Sequence, residues 1–205
     1  VLQEIFGVNS HIRAVTERFA ARGFAAVAPA LFYRLAPCDT LGVELGYSAD
    51  DMKNGLQFKA QAEALPAPGV QQDIRTAVDW LASTTGQKVG LVGFCWGGLL
   101  TWRAACSLPQ LSAAVCYYGG GMTVGEELQR QPLCPVMAHF GRQDAHISVD
   151  SVLAFDQTHP EVQVSLYEAD HGFNCDQRAS YDDASALVAR DRTLAFFDEH
   201  LRPAV

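Results

Sequence analysis

Apolar positions along this chain follow two rhythms that take turns. Ile12, Val15 and Phe19 recur at helical spacing over about 11–22, with Asn9 or Ser10 as a cap and Gly23 as a stop. Residues 24–28 form a short apolar run cut by Pro29, which reads as a buried strand, and 1–3 read as the end of another. From 30 to 68 the period is lost. Pro37, Pro66 and Pro68 punctuate the segment, and one helix is expected near 49–64. A connection of that length inside one domain usually serves as a pocket wall or lid. Order then returns. Val70, Ile74, Ala77, Val78 and Leu81 mark a helix ending near Gly86, followed by a strand over 88–92 and a helix over 95–106. Strands are expected at 113–118, 135–140 and 162–167, with helices at 148–157 and 180–201. In the last helix Leu187, Leu194, Phe197 and Leu201 are expected to face inward. Short, β-branched strands alternating with helices predict an α/β fold: a mostly parallel sheet of about six strands with helices on both faces. The 205 residues suit a single domain over 1–205.

Composition narrows the field. With 49% hydrophobic and 19% charged residues the chain is neither disordered nor collagen-like. The formal net charge is −8, which repels phosphate backbones and argues against a nucleic-acid partner. No apolar run reaches the ~18 residues of a membrane span, and no signal peptide is visible, although the chain opens at Val1 as if already in mid-strand. Six cysteines occur with no C-x-x-C spacing, and Cys106, Cys116 and Cys134 lie in apolar stretches. Reduced thiols and a cytoplasmic setting are expected. His139, His146 and His171 lack metal-ligand spacing, so no metal is expected.

In parallel α/β sheets, ligands bind beyond the carboxyl ends of the strands. Four reactive side chains fall at such ends: Glu4, Cys95, Asp144 and His171. Each alone has an ordinary structural explanation, as a strand-end ion pair, a small core hydrophobe, a turn residue or a hydrogen-bond donor. Their convergence on one edge is what argues for chemistry. Gly93-Phe94-Cys95-Trp96-Gly97 is a G-x-C-x-G turn between a strand and a helix, the nucleophile-elbow pattern with sulfur for oxygen. The sharp turn leaves no room for side chains two positions away, and the helix start favours a thiolate. Cys95, Asp144 and His171 follow one another at intervals of 49 and 27 residues, in the nucleophile–acid–histidine order of that pattern.

Five stretches then carry a specific resemblance: Gln3-Glu4-Ile5-Phe6-Gly7-Val8-Asn9, Gly93-Phe94-Cys95-Trp96-Gly97-Gly98, Tyr117-Tyr118-Gly119, Gly141-Arg142-Gln143-Asp144 and His171-Gly172-Phe173. The chain resembles the dienelactone hydrolase (carboxymethylenebutenolidase) family of the α/β-hydrolase fold, without the family's first strands. The resemblance implies that Cys95 is the nucleophile, His171 the base and Asp144 the group that fixes the imidazole tautomer. It implies an oxyanion hole from the main-chain N–H groups of Ile5 and Trp96. It implies too that Glu4 contacts the resting thiol and takes its proton when substrate arrives.

Sulfur constrains the substrate: a thiolate leaves a tetrahedral intermediate more readily than a simple alkoxide, so turnover favours enolate or phenolate leaving groups. An enol-lactone or similarly activated ester is therefore the expected small-molecule substrate, with no cofactor. The family's two substrate-binding arginines are missing. One position is Cys175, and 45–60 holds only Lys53 and Lys59; Arg178 or Arg34 could substitute. Tyr117, Tyr118, Phe173, Cys175 and Arg178 are the candidate pocket residues. A non-catalytic binder on the same scaffold, a broad-specificity thiol esterase and a thiol-dependent redox protein remain alternatives. The oligomeric state is open, a monomer being compatible.

Overall fold

A sheet of four parallel strands, in the order β1-β2-β3-β4, organises the molecule: β1 (Val89–Phe94), β2 (Leu111–Tyr117), β3 (Val136–Gly141) and β4 (Val162–Tyr167). The computed structural model describes residues 1–35 and 43–202. Register brings Phe94 beside Tyr117, Tyr117 beside His139, and Gly141 beside Tyr167, so the carboxyl ends of all four strands finish together.

Among the described residues six α-helices surround the sheet: α1 (Ser10–Ala21), α2 (Ala49–Glu63), α3 (Val70–Thr85), α4 (Trp96–Ala105), α5 (Val149–Thr158) and α6 (Asp183–Leu201). Their starts follow from local chemistry. Asn9 caps α1 by accepting from the Ile12 N–H. Ser48 and Asp51 close a reciprocal capping box at α2. Gly86, at φ 65°, ends α3 in the left-handed conformation that favours glycine.

Strand alternation divides the core in two. Val89 and Leu91 pack with Ile74, Val78, Leu100 and Ala104 of α3 and α4. Val92 and Phe94 turn the other way, toward Ile12 and Val15 of α1 and Phe196 and Phe197 of α6. Helices therefore cover both faces, as expected of an α/β-hydrolase fold. Trp102 of α4 is fully buried against Phe155 of α5.

Three expectations need correction. Residues 1–3 supply a single parallel bridge, Leu2 to Gly93, rather than a strand. Residues 24–28 run beside them with one main-chain bond between the two, from the Val1 amine to the Val27 carbonyl, and no ladder; among the described residues the strand count is four rather than about six. On α6 the inward face is Ser185, Ala186, Ala189, Thr193, Phe196 and Phe197, while Leu187 is exposed. Part of the expected wall over 30–68 lies outside the described residues. Among the described ones no helix is long and apolar enough to cross a membrane.

Candidate active site

Cys95 sits between β1 and α4 with φ 55° and ψ −116°, a conformation a side-chain-bearing residue adopts only under constraint. Its N–H donates to the Tyr117 carbonyl at 3.0 Å, tying the turn to β2. Glycines make the turn possible. A Cβ on Gly93 would collide with the Gly97 carbonyl and Thr101, and one on Gly97 with the carbonyls of Leu2 and Gln3. Cys95 is half-buried, which leaves its sulfur reachable.

Asp144 lies past the end of β3 and His171 past the end of β4. Asp144 Oδ2 is 2.7 Å from His171 Nδ1, while Oδ1 accepts from the N–H groups of His146 (2.8 Å) and Ile147 (3.2 Å). The carboxylate is thus aimed by the backbone of its own turn. Burial works against its charge, but the His171 hydrogen bond and the His146 N–H hold the carboxyl below its ordinary range. Burial also opposes charge on the His171 ring. The Asp144 hydrogen bond, and next the Cys95 sulfur beside the ring, outweigh it and push the imidazole up to about 10. The structure joins His171 and Asp144 by a direct hydrogen bond and places Cys95 near enough to act on the ring's charge.

Among the described residues the main-chain N–H groups of Ile5 and Trp96 have no protein acceptor, so both are free to donate to a ligand oxygen. The Trp96 side chain is fixed elsewhere, its Nε1 donating to Glu63 at 3.1 Å. A dienelactone hydrolase family profile matches residues 1–201. The chain belongs to the dienelactone hydrolase family. A Synechocystis protein named "Putative carboxymethylenebutenolidase" is 34% identical over 98% of this chain and 85% of its own length. Carboxymethylenebutenolidase of Pseudomonas putida is 31% identical over 96% of this chain and 83% of its own. A crystal structure from Klebsiella pneumoniae, described as a "Putative Dienelactone Hydrolase", superposes with a TM-score of 0.80 at 33% identity, covering 97% of this chain and 85% of that one.

Set among dienelactone hydrolases, this chain differs from expectation at Glu4. Among the described residues its carboxylate makes no hydrogen bond to Cys95. Oε1 accepts instead from Arg178 Nη1 at 3.2 Å, because a guanidinium outcompetes a neutral thiol for a buried carboxylate. Oε2 is buried with no partner. Arg178 also stacks over the Phe6 ring at 5.7 Å, and a Cβ on Gly172, at φ 80°, would collide with its guanidinium. Arg34 is elsewhere, in an exposed pair with Asp73.

Neighbouring tyrosines part company. The Tyr117 hydroxyl shares a 2.7 Å hydrogen bond with Thr193 of α6 and belongs to the core, which removes it from the pocket candidates. Tyr118 turns back at φ 36°, packs at a tilt against His171 with ring centroids 5.1 Å apart, and keeps a buried hydroxyl without a partner among the described residues. Phe173 is fully buried behind it, 5.3 Å from its ring, and supports the site rather than lining it. The Cys175 thiol donates to the Tyr47 hydroxyl at 3.2 Å, and burial pushes it up to about 11. Tyr47, Asn9, His11 and Asp176 are neighbours that the sequence reading missed, because no spacing links residues 9–11 and 47 to 175–176. His139, also considered for a metal, bonds instead to Tyr167 and Thr193.

Proposed function

We propose that this dienelactone hydrolase family member hydrolyses an enol-lactone or similarly activated ester through a Cys95 nucleophile. The observation that carries this reading is the 2.7 Å hydrogen bond from Asp144 to His171, with the Cys95 sulfur near enough to act on the ring's charge and held on a strained strand–helix turn. The proton that Cys95 gives up is the one that the raised His171 ring holds, passed directly or by way of the unpaired Glu4 oxygen. The sulfur attacks the carbonyl carbon, and the N–H groups of Ile5 and Trp96 receive the developing oxyanion. The carbon–oxygen bond to the enolate then breaks, and the protonated imidazole returns a proton to the leaving oxygen. Water, deprotonated by His171, hydrolyses the acyl-thioester and regenerates the thiol. An enolate leaves about as readily as thiolate, whereas a simple alkoxide does not, so plain alkyl esters and amides are poor substrates. Arg178, a half-buried cation held by Glu4, is the group available to meet a substrate carboxylate.

A panel of enol-lactones and aryl esters tests the reading with the native protein and its Cys95→Ala, Glu4→Gln and His171→Ala variants. Turnover is expected to vanish in Cys95→Ala and to fall by about 10³-fold or more in His171→Ala. Turnover surviving in Cys95→Ala would defeat the nucleophile assignment. Unchanged alkylation of the thiol in Glu4→Gln would remove Glu4 from the activation step.

A further inference from the structure

His11 begins α1 and faces Cys175 and Asp176, which follow β4. One ligand-capable atom from each, an imidazole nitrogen, the sulfur and a carboxylate oxygen, lies within 4.8 Å of the other two. None of the three has a part in the proposed hydrolysis. Among the described residues three histidines are fully buried, and the other two are saturated: His139 bonds to Tyr167 and Thr193, and His159 to Glu161 and the Leu128 carbonyl. His11 bonds to Asp176 through Nδ1 at 3.1 Å, and its Nε2 has no partner. A buried ring left half unpaired costs free energy unless something further engages the cluster.

We propose that His11, Cys175 and Asp176 form a binding site for a divalent, borderline-soft cation of the Zn²⁺ type. Nitrogen, thiolate and carboxylate donors suit zinc, whereas magnesium and calcium prefer all-oxygen sets. Asp176 is partly exposed and opens a path for the ion and for a water as fourth ligand. Arg18 engages Oδ2 of Asp176 at 3.5 Å, so Oδ1, which now bonds to His11 Nδ1, is the oxygen that would exchange that bond for the metal. Binding breaks the Cys175 S–H bond, forms a sulfur–metal bond and releases one proton to solvent; nothing is oxidised or reduced. The Tyr47 hydroxyl, which now accepts from the thiol, can then rotate its own proton toward the thiolate, the outer-shell support such ligands usually have.

The test uses metal-free Cys95→Ser protein, which removes the competing thiol, titrated with Co²⁺ and then Zn²⁺ under equilibrium dialysis. One Co²⁺ per chain is expected, with a thiolate-to-cobalt charge-transfer band that Zn²⁺ abolishes. Adding Cys175→Ser should erase the band and weaken binding at least ~10-fold, and Zn²⁺ should raise the unfolding midpoint only where Cys175 is present. Asp176→Asn, at a partly exposed position, serves if Cys175→Ser does not fold, and should weaken binding while keeping the band. Absence of stoichiometric binding, or binding indifferent to Cys175→Ser and Asp176→Asn, overturns the proposal and leaves only a hydrogen-bonded cluster.

Discussion

Cys95 pays for its reach in backbone strain: a non-glycine residue at φ 55° and ψ −116° is tolerable only because its surroundings permit no other path. The permissive element is the absence of neighbouring side chains. Gly97 packs against the carbonyls of Leu2 and Gln3, so a methyl group there must push the α4 start away from residues 2–3. Gly97→Ala is expected to destabilise the fold by about 2–3 kcal/mol, read as a lower midpoint in urea with an unchanged slope. An unchanged midpoint would mean that the turn is not close-packed. This elbow was legible in the sequence because its steric demand is written in residue types. The Glu4–Arg178 pair was not, since nothing local links positions so far apart along the chain. Arg178→Gln tests its share in recognition. KM for a lactone bearing a carboxylate should rise by about 10-fold or more, while KM for an uncharged aryl ester should stay nearly constant. Equal effects on both substrates would make Arg178 only a structural partner of Glu4.

Between elements, the decisive contact joins α2 to the oxyanion-forming backbone. Gly55 of α2 approaches the Ile5 carbonyl so closely that an added Cβ would lie 2.5 Å from it. Phe32 meanwhile stacks between Phe58 of α2 and Trp96 of the elbow, at 5.3 and 5.4 Å. The segment over 43–68 thus bears on both residues whose N–H groups are proposed to hold the oxyanion. Gly55→Ala should lower kcat by about 10-fold or more while costing only about 1–3 kcal/mol of stability, because it shifts Ile5 without emptying the core. Retention of full kcat with loss of stability would show that α2 braces the fold and not the site. The four central strands and the helices between them were legible because burial on both faces produces continuous apolar runs. Residues 24–28 have the same composition but form a single main-chain bond to residues 1–3 instead of a ladder, a difference that apolarity cannot report. Leu187 misled for a related reason. The side of α6 turned to the sheet carries Ser185, Ala186 and Ala189, small residues that permit a close approach, so hydrophobicity alone chose the wrong face near its start.

Across the whole molecule, two histidines tie stability to pH with opposite signs. Burial lowers His139 to about 3, so between there and the ordinary value near 6.5 the unfolded chain binds a proton that the folded one refuses. Stability must therefore fall as pH drops through that window. His171 stands at about 10 in the folded state, so its contribution is complete below about 6.5 and is lost as pH rises toward 10. Differences between native protein and variant isolate each group from the rest. Native minus His139→Gln stability should rise by about 1 kcal/mol per pH unit from pH 5 to 6.5, above the range where most carboxylates titrate. In a Cys95→Ser background, where no thiol proton can pass to the ring, the same comparison for His171→Gln should decline from pH 6.5 to 8.5. Chemical denaturation at each pH measures both. A flat difference on the alkaline side would mean that Asp144 does not hold the His171 proton, and the polarity proposed for the reaction would lose its electrostatic basis. A flat difference on the acid side would place solvent beside His139, contrary to its enclosure by Tyr117, Tyr167 and Thr193.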